Sequence, residues 1–439
     1  MKNNTIKLGI FFLLGISSAL AQEKKNMTLE EAVQMATAQS NEAKLADTKV
    51  ASKEFEMQTV KNKQLPDVKI NGQYQRLTNA DVDFKLGNQS QGRSTPEVHQ
   101  LILGNAMATV PVFAGLKIQN SIKASQSLYE AEQFYSKQTK EDVGIQAVKL
   151  YVTLYKAQEN EKLIQENIKR AEQRVVDFKA MEENGLIARN DLLRAQLQVS
   201  NYQIALEEAR KNMSTVNYQL VTLLKLPEET IINPDSDTFK KKTGFDTPSD
   251  DISGRNDLNA IRLQQKAAET NVKIAKGNYY PALTLMGGYI GFDLQNTVTV
   301  TNAMNFGAGL SYDLSSVFKN GKDVKAAKSK AKEAEQSLDI MTDKAKIQIQ
   351  QANENYLLAQ KQNKVYEEAV AQAAENFRIV KDKHDNGLAD TDELLEADVQ
   401  QLLSKINESS SRADIVEKYY EILAASGKLT SSTVLPTKN

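Results

Sequence analysis

Residues 386–397 read NGLADTDELLEA, and residues 184–195 read NGLIARNDLLRA. Set on each other with an offset of 202, they agree at six of twelve positions: Asn, Gly, Leu, Leu, Leu and Ala. Each stretch lies between long segments whose apolar residues recur at helical spacing. Glycine at the second position breaks one helix in a left-handed turn, and a polar residue beyond it caps the next. Each stretch is therefore expected to be the tip of a helical hairpin, and two equivalent tips in one chain mark an internal duplication.

The segments around the tips are long. From Leu116 to Glu183 there is no proline and one glycine, Gly144. A continuous helix of that length reaches about 100 Å, more than an ordinary globular domain can use. After the first tip a stripe runs Leu192, Ala195, Val199, Tyr202, Leu206, Ala209, Met213, Val216, Leu220, Leu223. Its steps alternate three and four, the 3.5-residue period of coiled-coil packing. A second column is expected from about Lys322 to His384. Beyond the second tip the stripe Leu395, Val399, Leu402, Ile406, Ser409, Ala413, Val416, Tyr420, Leu423 repeats the period.

Ahead of each column the period falls to two. Val68, Ile70, Gly72 and Tyr74 alternate with Lys69, Asn71, Gln73 and Gln75, a strand with one apolar and one polar face. The return strand spans about 101–112. In the second half, strands are expected at about 282–292 and 304–315, with a loop between them over 293–303. Pro66 and Pro281 precede the first strand of each half, and Gly321 echoes Gly115. Thr28-Leu29-Glu30-Glu31 is a capping box that starts a first helix reaching about Gln64.

The chain divides accordingly. Residues 1–21 carry a basic start, a short apolar run and Ala19-Leu20-Ala21, the pattern of a secretory signal peptide. Residues 22–225 form repeat 1, with its hairpin tip at 184–191. Residues 226–256, broken by prolines and glycines, form an inter-repeat linker expected at the equator. Residues 257–427 form repeat 2, with its tip at 386–393, and 428–439 are expected to be a loose tail. With 55 basic and 56 acidic residues, the charge is balanced and suggests no nucleic-acid partner. There is no cysteine, hence no disulfide.

Four amphipathic strands with no apolar membrane helix raise a closure problem. If their apolar faces meet lipid, every strand edge must be paired, and only a closed barrel does that. Single-chain barrels begin at eight strands, so several copies must contribute. The alternative is a small soluble β-domain packed on itself.

The TLEEAV start, the helix-strand-strand-helix order used twice, PVFAG before the first column and the paired tips resemble the outer membrane efflux protein family, the TolC-like outer membrane factors. The resemblance covers essentially the whole chain beyond the signal segment. It implies a mainly α protein with a membrane β-barrel: a homotrimer whose twelve-stranded barrel continues as a twelve-helix coiled-coil α-barrel through the periplasm. It also implies the outer-membrane exit duct of a tripartite efflux pump or type I secretion system. Such a duct works with a periplasmic adaptor (membrane fusion) protein and an inner-membrane transporter. The alternative reading is a periplasmic coiled-coil scaffold or adaptor with a soluble β-domain; a diffusion porin is a weaker third, since porins carry no long helical columns.

The family's periplasmic end is closed by coiled helices and ringed by acidic residues. Counted from the tip glycine, the matching positions are Glu393 and Glu396, three apart and so on one helix face. Asp390 and Asp392 add charge nearby. The first tip offers Asp191, with Arg194 or Arg189 as its partner. Carboxylates in a first helical turn are also favoured simply by unpaired amides and the helix dipole, so Asp390, Asp392 and Glu393 read equally as a cap. Gly185-Leu186 and Gly387-Leu388 are the expected docking points for adaptor hairpins; the competing reading is that the glycine turns the chain and the leucine plugs the turn. No catalytic constellation, metal cluster or cofactor motif is present in the sequence. Of the two histidines, His99 falls in an outer loop and His384 reads as a solvated helix residue before the second tip.

Overall fold

A short parallel strand pair, invisible to sequence periodicity, ties the start of the chain to the linker between the repeats. In the computed structural model, which describes residues 24–78, 80, 97–240 and 251–433, β1 (Lys24–Met27) pairs with β4 (Ile231–Pro234). The signal segment 1–21, most of the 78–97 loop, residues 241–250 of the linker and the last residues of the chain lie outside the described residues.

The capping box forms as expected. The Glu31 amide donates to Thr28 Oγ1 at 3.2 Å, and the Thr28 amide donates to Glu31 Oε2 at 3.0 Å. The single helix expected to reach Gln64 is instead two, α1 (Leu29–Gln39) and α2 (Asn41–Asn62). Ser40 is extended, and its hydroxyl caps the second helix by accepting from the Ala43 amide at 3.1 Å. A serine in mid-pattern competed with the helix and won.

After α2 come β2 (Asp67–Arg76) and β3 (Gln100–Ala114). One unbroken helix then follows, α3 (Lys117–Glu183), and beyond the first tip α4 (Arg189–Leu224). The linker holds β4, a one-turn helix α5 (Asp237–Lys240), and leads to α6 (Asn256–Gly277). The second half continues with β5 (Ala282–Leu294), β6 (Val298–Ser311), α7 (Leu314–Asp385), α8 (Thr391–Ala425) and α9 (Leu429–Thr433).

Three boundaries differ from expectation. The 293–303 loop shrinks to a tight hairpin, because the Thr-Val run 297–301 joins β6 and Asn296 takes a left-handed φ of 58°. The last strand stops at Ser311 rather than 315. Asp313 accepts from the Ser315 amide at 2.9 Å and starts α7 at Leu314, so Gly321 lies inside a helix and does not echo Gly115. The tail is not loose at its start. Leu429 is fully buried, and the Glu141 carboxylate of α3 accepts from the amides of Leu429 at 3.0 Å and Thr430 at 3.1 Å.

The main core sits where α1, α3, α4, the linker and α8 meet. Tyr151 is its pivot: the hydroxyl donates to the Met27 carbonyl at 2.7 Å and accepts from the Asp235 amide at 2.8 Å. Phe239 stacks on Tyr155, with ring centroids 3.8 Å apart. Away from this knot both predicted 3.5-residue stripes are buried or half-buried along their length. Among the described residues no helix is long and apolar enough to cross a membrane.

The four longer strands form one antiparallel sheet in the order β2-β3-β5-β6, so the two repeats join at its centre and each ends at an edge. Register places Val68, Ile70 and Tyr74 on the same face as Ala106, Ala108, Leu285, Tyr289, Met304, Phe306 and Leu310. Most of the large side chains on that face are exposed, Phe306 most of all. The sheet therefore does not pack its apolar face on itself. The other face carries Lys69, Asn71, Gln73 and Asn105, and the Asn71 amide donates to Asn105 Oδ1 at 2.9 Å. Pro111 sits where β3 shifts register against β5, an irregularity that accommodates a residue with no amide to give.

Candidate functional site: the paired hairpin tips

The two tips are built alike. Asn184 and Asn386 each turn their side-chain amide back onto the carbonyl four residues earlier, Ala180 at 2.6 Å and Asp382 at 2.7 Å. Gly185 and Gly387 follow with φ of 73° and 71°. The amides of Leu186 and Leu388 then close on Met181 and Lys383 at 2.8 Å each. A Cβ on either glycine would meet no neighbouring atom, so the left-handed backbone alone demands glycine there. Leu186 is 71% exposed and Leu388 77%. Neither leucine plugs its turn.

The helix starts beyond the tips differ. Asp390 caps α8, its carboxylate accepting from the Glu393 amide at 2.9 Å. At the first tip Ala188 holds the cap position with no side-chain bond, so the expected polar cap is absent. Arg194 does not pair with Asp191. It crosses to Asp392 of the second tip, and Arg189 turns back to Glu182 at 3.5 Å. Asp191 is half-buried, while Glu393 and Glu396 are both exposed. Of the predicted carboxylates, then, Asp390 is engaged as a cap, Asp392 is engaged by Arg194, and the two glutamates stand out into solvent.

Behind the two tips lies one small apolar cluster of Phe178, Leu192, Ala195 and Leu394. His384 belongs to it. Its side chain is only 7% exposed and stacks on Phe178 with centroids 5.4 Å apart. The expectation of a solvated histidine is corrected here: α7 turns this residue toward α3, which helical spacing within one segment does not reveal.

Deeper still, three side chains converge on Asp398 of α8, which is fully buried. Arg174 of α3 stands 3.2 Å from one carboxylate oxygen. Asn167 of α3 and the Tyr202 hydroxyl of α4 donate to the other, at 3.4 and 3.1 Å. Burial, with the Asp398 charge beside it, pushes the Tyr202 hydroxyl up to about 12. The sequence carried a weak signal for this site: Tyr202, a hydroxyl-bearing side chain inside an otherwise apolar seam. Among the described residues no cluster of His, Asp or Glu is arranged to hold a metal ion.

Residues 247–428, essentially the second repeat, match the model of the outer membrane efflux protein family. Over that span the chain carries the family's pattern. The fold of the chain is shared with solved outer-membrane channels along nearly their full length. CusC aligns with a TM-score of 0.78 at 14% identity, covering 91% of each chain. The outer membrane protein VceC of Vibrio cholerae aligns at 0.75 and 16% identity, covering 91% of this chain and 96% of its own. The CmeC outer membrane channel of Campylobacter jejuni aligns at 0.72 and 17% identity, covering 99% and 96%. At such identities the likeness is one of fold. Nodulation protein T of Rhizobium leguminosarum bv. viciae is 26% identical over 146 residues; the match spans 32% of this chain and 30% of that relative. Outer membrane efflux proteins form a family of channels, not of enzymes.

Proposed function

We propose that this chain is the exit duct of a tripartite efflux pump or type I secretion system: a passive conduit through the outer membrane and periplasm, opened by a periplasmic adaptor and an inner-membrane transporter. The observation that carries the reading is the sheet. It has two free edges, β2 and β6, and one apolar face left uncovered across all four strands. In lipid such edges must be paired. Three copies joined β6 to β2 close a ring of twelve strands, with the Lys69, Asn71 and Gln73 face toward a wet interior. A further row of exposed apolar residues along α7, from Ile340 and Ile347 through Leu358 and Val365 to Ile379, supplies a seam that a neighbouring copy covers.

In this reading Glu393 and Glu396 ring the periplasmic aperture, with Asp390 and Asp191 adding charge around it and Asp392 masked by its pairing with Arg194. Rings of carboxylates attract cations and repel small anions. The exposed leucines at Leu186 and Leu388, each set on its Gly185 or Gly387 turn, are the docking points for adaptor hairpins.

The deciding experiment measures single-channel conductance of detergent-purified trimers in a planar bilayer, with trivalent cations added to the periplasmic side. Small cation-selective steps that these ions block are expected. Protein that stays soluble without detergent and never inserts would overturn the reading in favour of a periplasmic scaffold. Leu186→Glu with Leu388→Glu is expected to abolish export in cells while trimers still assemble; loss of assembly would return the leucines to a structural role.

A further inference from the structure

Asp398 is the one carboxylate in the tip-proximal half of the hairpins that is completely removed from water and held from two other helices at once. Its main partner, Arg174, is itself largely buried and lies over the Phe377 ring of α7, 5.9 Å from the centroid. All four long helices thus meet at this point. Asp398 follows the tip glycine Gly387 by 11 residues, and Arg174 precedes Gly185 by 11. The pair lies roughly 16 Å up the hairpins from their tips, at 1.5 Å per residue.

An apolar seam alone does not define this arrangement. Leucines and alanines at a 3.5-residue repeat hold helices together, but they resist sliding and rotation only weakly. A buried polar partner at a single level specifies register. The duplication underlines the point. Under the 202-residue offset, Asp398 corresponds to Gln196 and Arg174 to Asn376. The first repeat has no such charge, so the device belongs to α8 alone.

The same helix carries Glu393 and Glu396, five and two residues before Asp398. At 100° per residue they stand about 140° and 200° around the helix from it. With Asp398 turned in against α3 and α4, both glutamates must point away, as their exposure records.

We propose that Asp398 is a positioning residue for the acidic aperture: by tying α8 to Arg174, Asn167 and Tyr202 it fixes the rotation and height at which Glu393 and Glu396 stand. This rests on the duct reading above, and the glutamates, not Asp398, are what passing ions meet. Arg174 is the counter-charge that makes the buried carboxylate tolerable, and Asn167 and Tyr202 donate to its Oδ2, leaving Oδ1 to the ion pair alone.

The test compares wild type, Asp398→Asn, Tyr202→Phe and the double variant Glu393→Gln, Glu396→Gln as purified trimers in planar bilayers. Asp398→Asn is expected to raise unitary conductance about twofold or more, because the aperture helix is no longer fixed, with cation preference retained since both glutamates remain. Tyr202→Phe, a milder change, is expected to move conductance the same way by less. The double glutamate variant loses cation preference instead. Trimers of Asp398→Asn with wild-type conductance would overturn the proposal. So would failure of Asp398→Asn to assemble together with wild-type behaviour of Tyr202→Phe, which would mark a purely structural carboxylate. A readout independent of conduction uses the absence of cysteine from the chain. A spin label at Glu396→Cys reports distances between protomers, which are expected to broaden when Asp398→Asn is added; an unchanged distribution counts against the proposal. Wild-type trimers that form no channel would strike the duct reading itself, while the label distances would still decide the positioning role.

Discussion

Arg194 of the first tip and Asp392 of the second are joined across the two hairpins by a salt bridge of 2.5 Å. Both side chains are largely exposed, so the pair adds little to stability, within about 0.5 kcal/mol. Its effect is electrostatic: it neutralises one of the carboxylates that follow the second tip. Arg194→Gln is therefore expected to leave folding unchanged and to tighten block by trivalent cations about threefold to tenfold, the worth of one additional nearby charge. Titration of the block in planar bilayers checks this. An unchanged block would place Asp392 outside the ion path.

The junction between sheet and helices makes a sharper structural prediction. Gly115 has a φ of 63°, and a Cβ there would overlap the carbonyl oxygen of Gly277. Left-handed backbone and backbone-to-backbone contact coincide at one residue. Gly115→Ala is expected to cost about 3 kcal/mol or more and to block trimer assembly. Gly104→Ala, in the interior strand β3 with open space around it, is the control and is expected to assemble normally. Trimer yield after detergent extraction distinguishes them.

What could be read from the chain was what repeats locally. The tips were legible because Asn-Gly-Leu does the same thing twice, down to the side-chain bonds of Asn184 and Asn386. The strands were legible from alternation, and the hairpin seams from their period. Features that depend on distant partners were not. The β1–β4 pair joins residues some 200 positions apart, and its short strands carry no pattern. Nothing local singles out Asp398, since its partners lie 224 or 231 residues earlier on α3 and 196 earlier on α4. His384 looked solvated because the ring that covers it, Phe178, belongs to the other hairpin. At Ser40 a hydroxyl ended a helix that apolar spacing alone would have continued.

Glu141 gives a pH prediction. Burial raises its pKa above the ordinary 4.5, although the Thr430 and Leu429 hydrogen bonds act in the opposite sense. A carboxylate whose folded pKa exceeds its unfolded value contributes stability that is complete below the unfolded value and is lost as pH rises through the folded one. Glu141→Gln lacks this titration. The stability difference, wild type minus variant, is therefore expected to shrink as pH rises from about 4 toward neutrality. Unfolding followed by circular dichroism across that range checks it; a difference that does not vary with pH would mean the carboxylate titrates as an ordinary one. Glu141→Ala also removes the carboxylate that the amides of Leu429 and Thr430 donate to, at a cost of about 2–4 kcal/mol, and is expected to release α9 from α3.

Asp390 separates the two roles that a carboxylate near the second tip can play. Its bond to the Glu393 amide makes it the cap of α8. Asparagine caps as well as aspartate, whereas alanine loses the bond at about 1 kcal/mol. If capping is its whole contribution, Asp390→Asn behaves as wild type in both unfolding and conductance, and Asp390→Ala loses stability alone. Glu393 and Glu396 accept no such backbone bond among the described residues and are free to act through charge. Glu393→Gln is therefore expected to lower cation preference without destabilising the trimer. Reversal potentials in asymmetric salt, set beside melting of the same trimers, sort the three residues. A shift in preference from Asp390→Asn as large as that from Glu393→Gln would move Asp390 from the cap into the aperture.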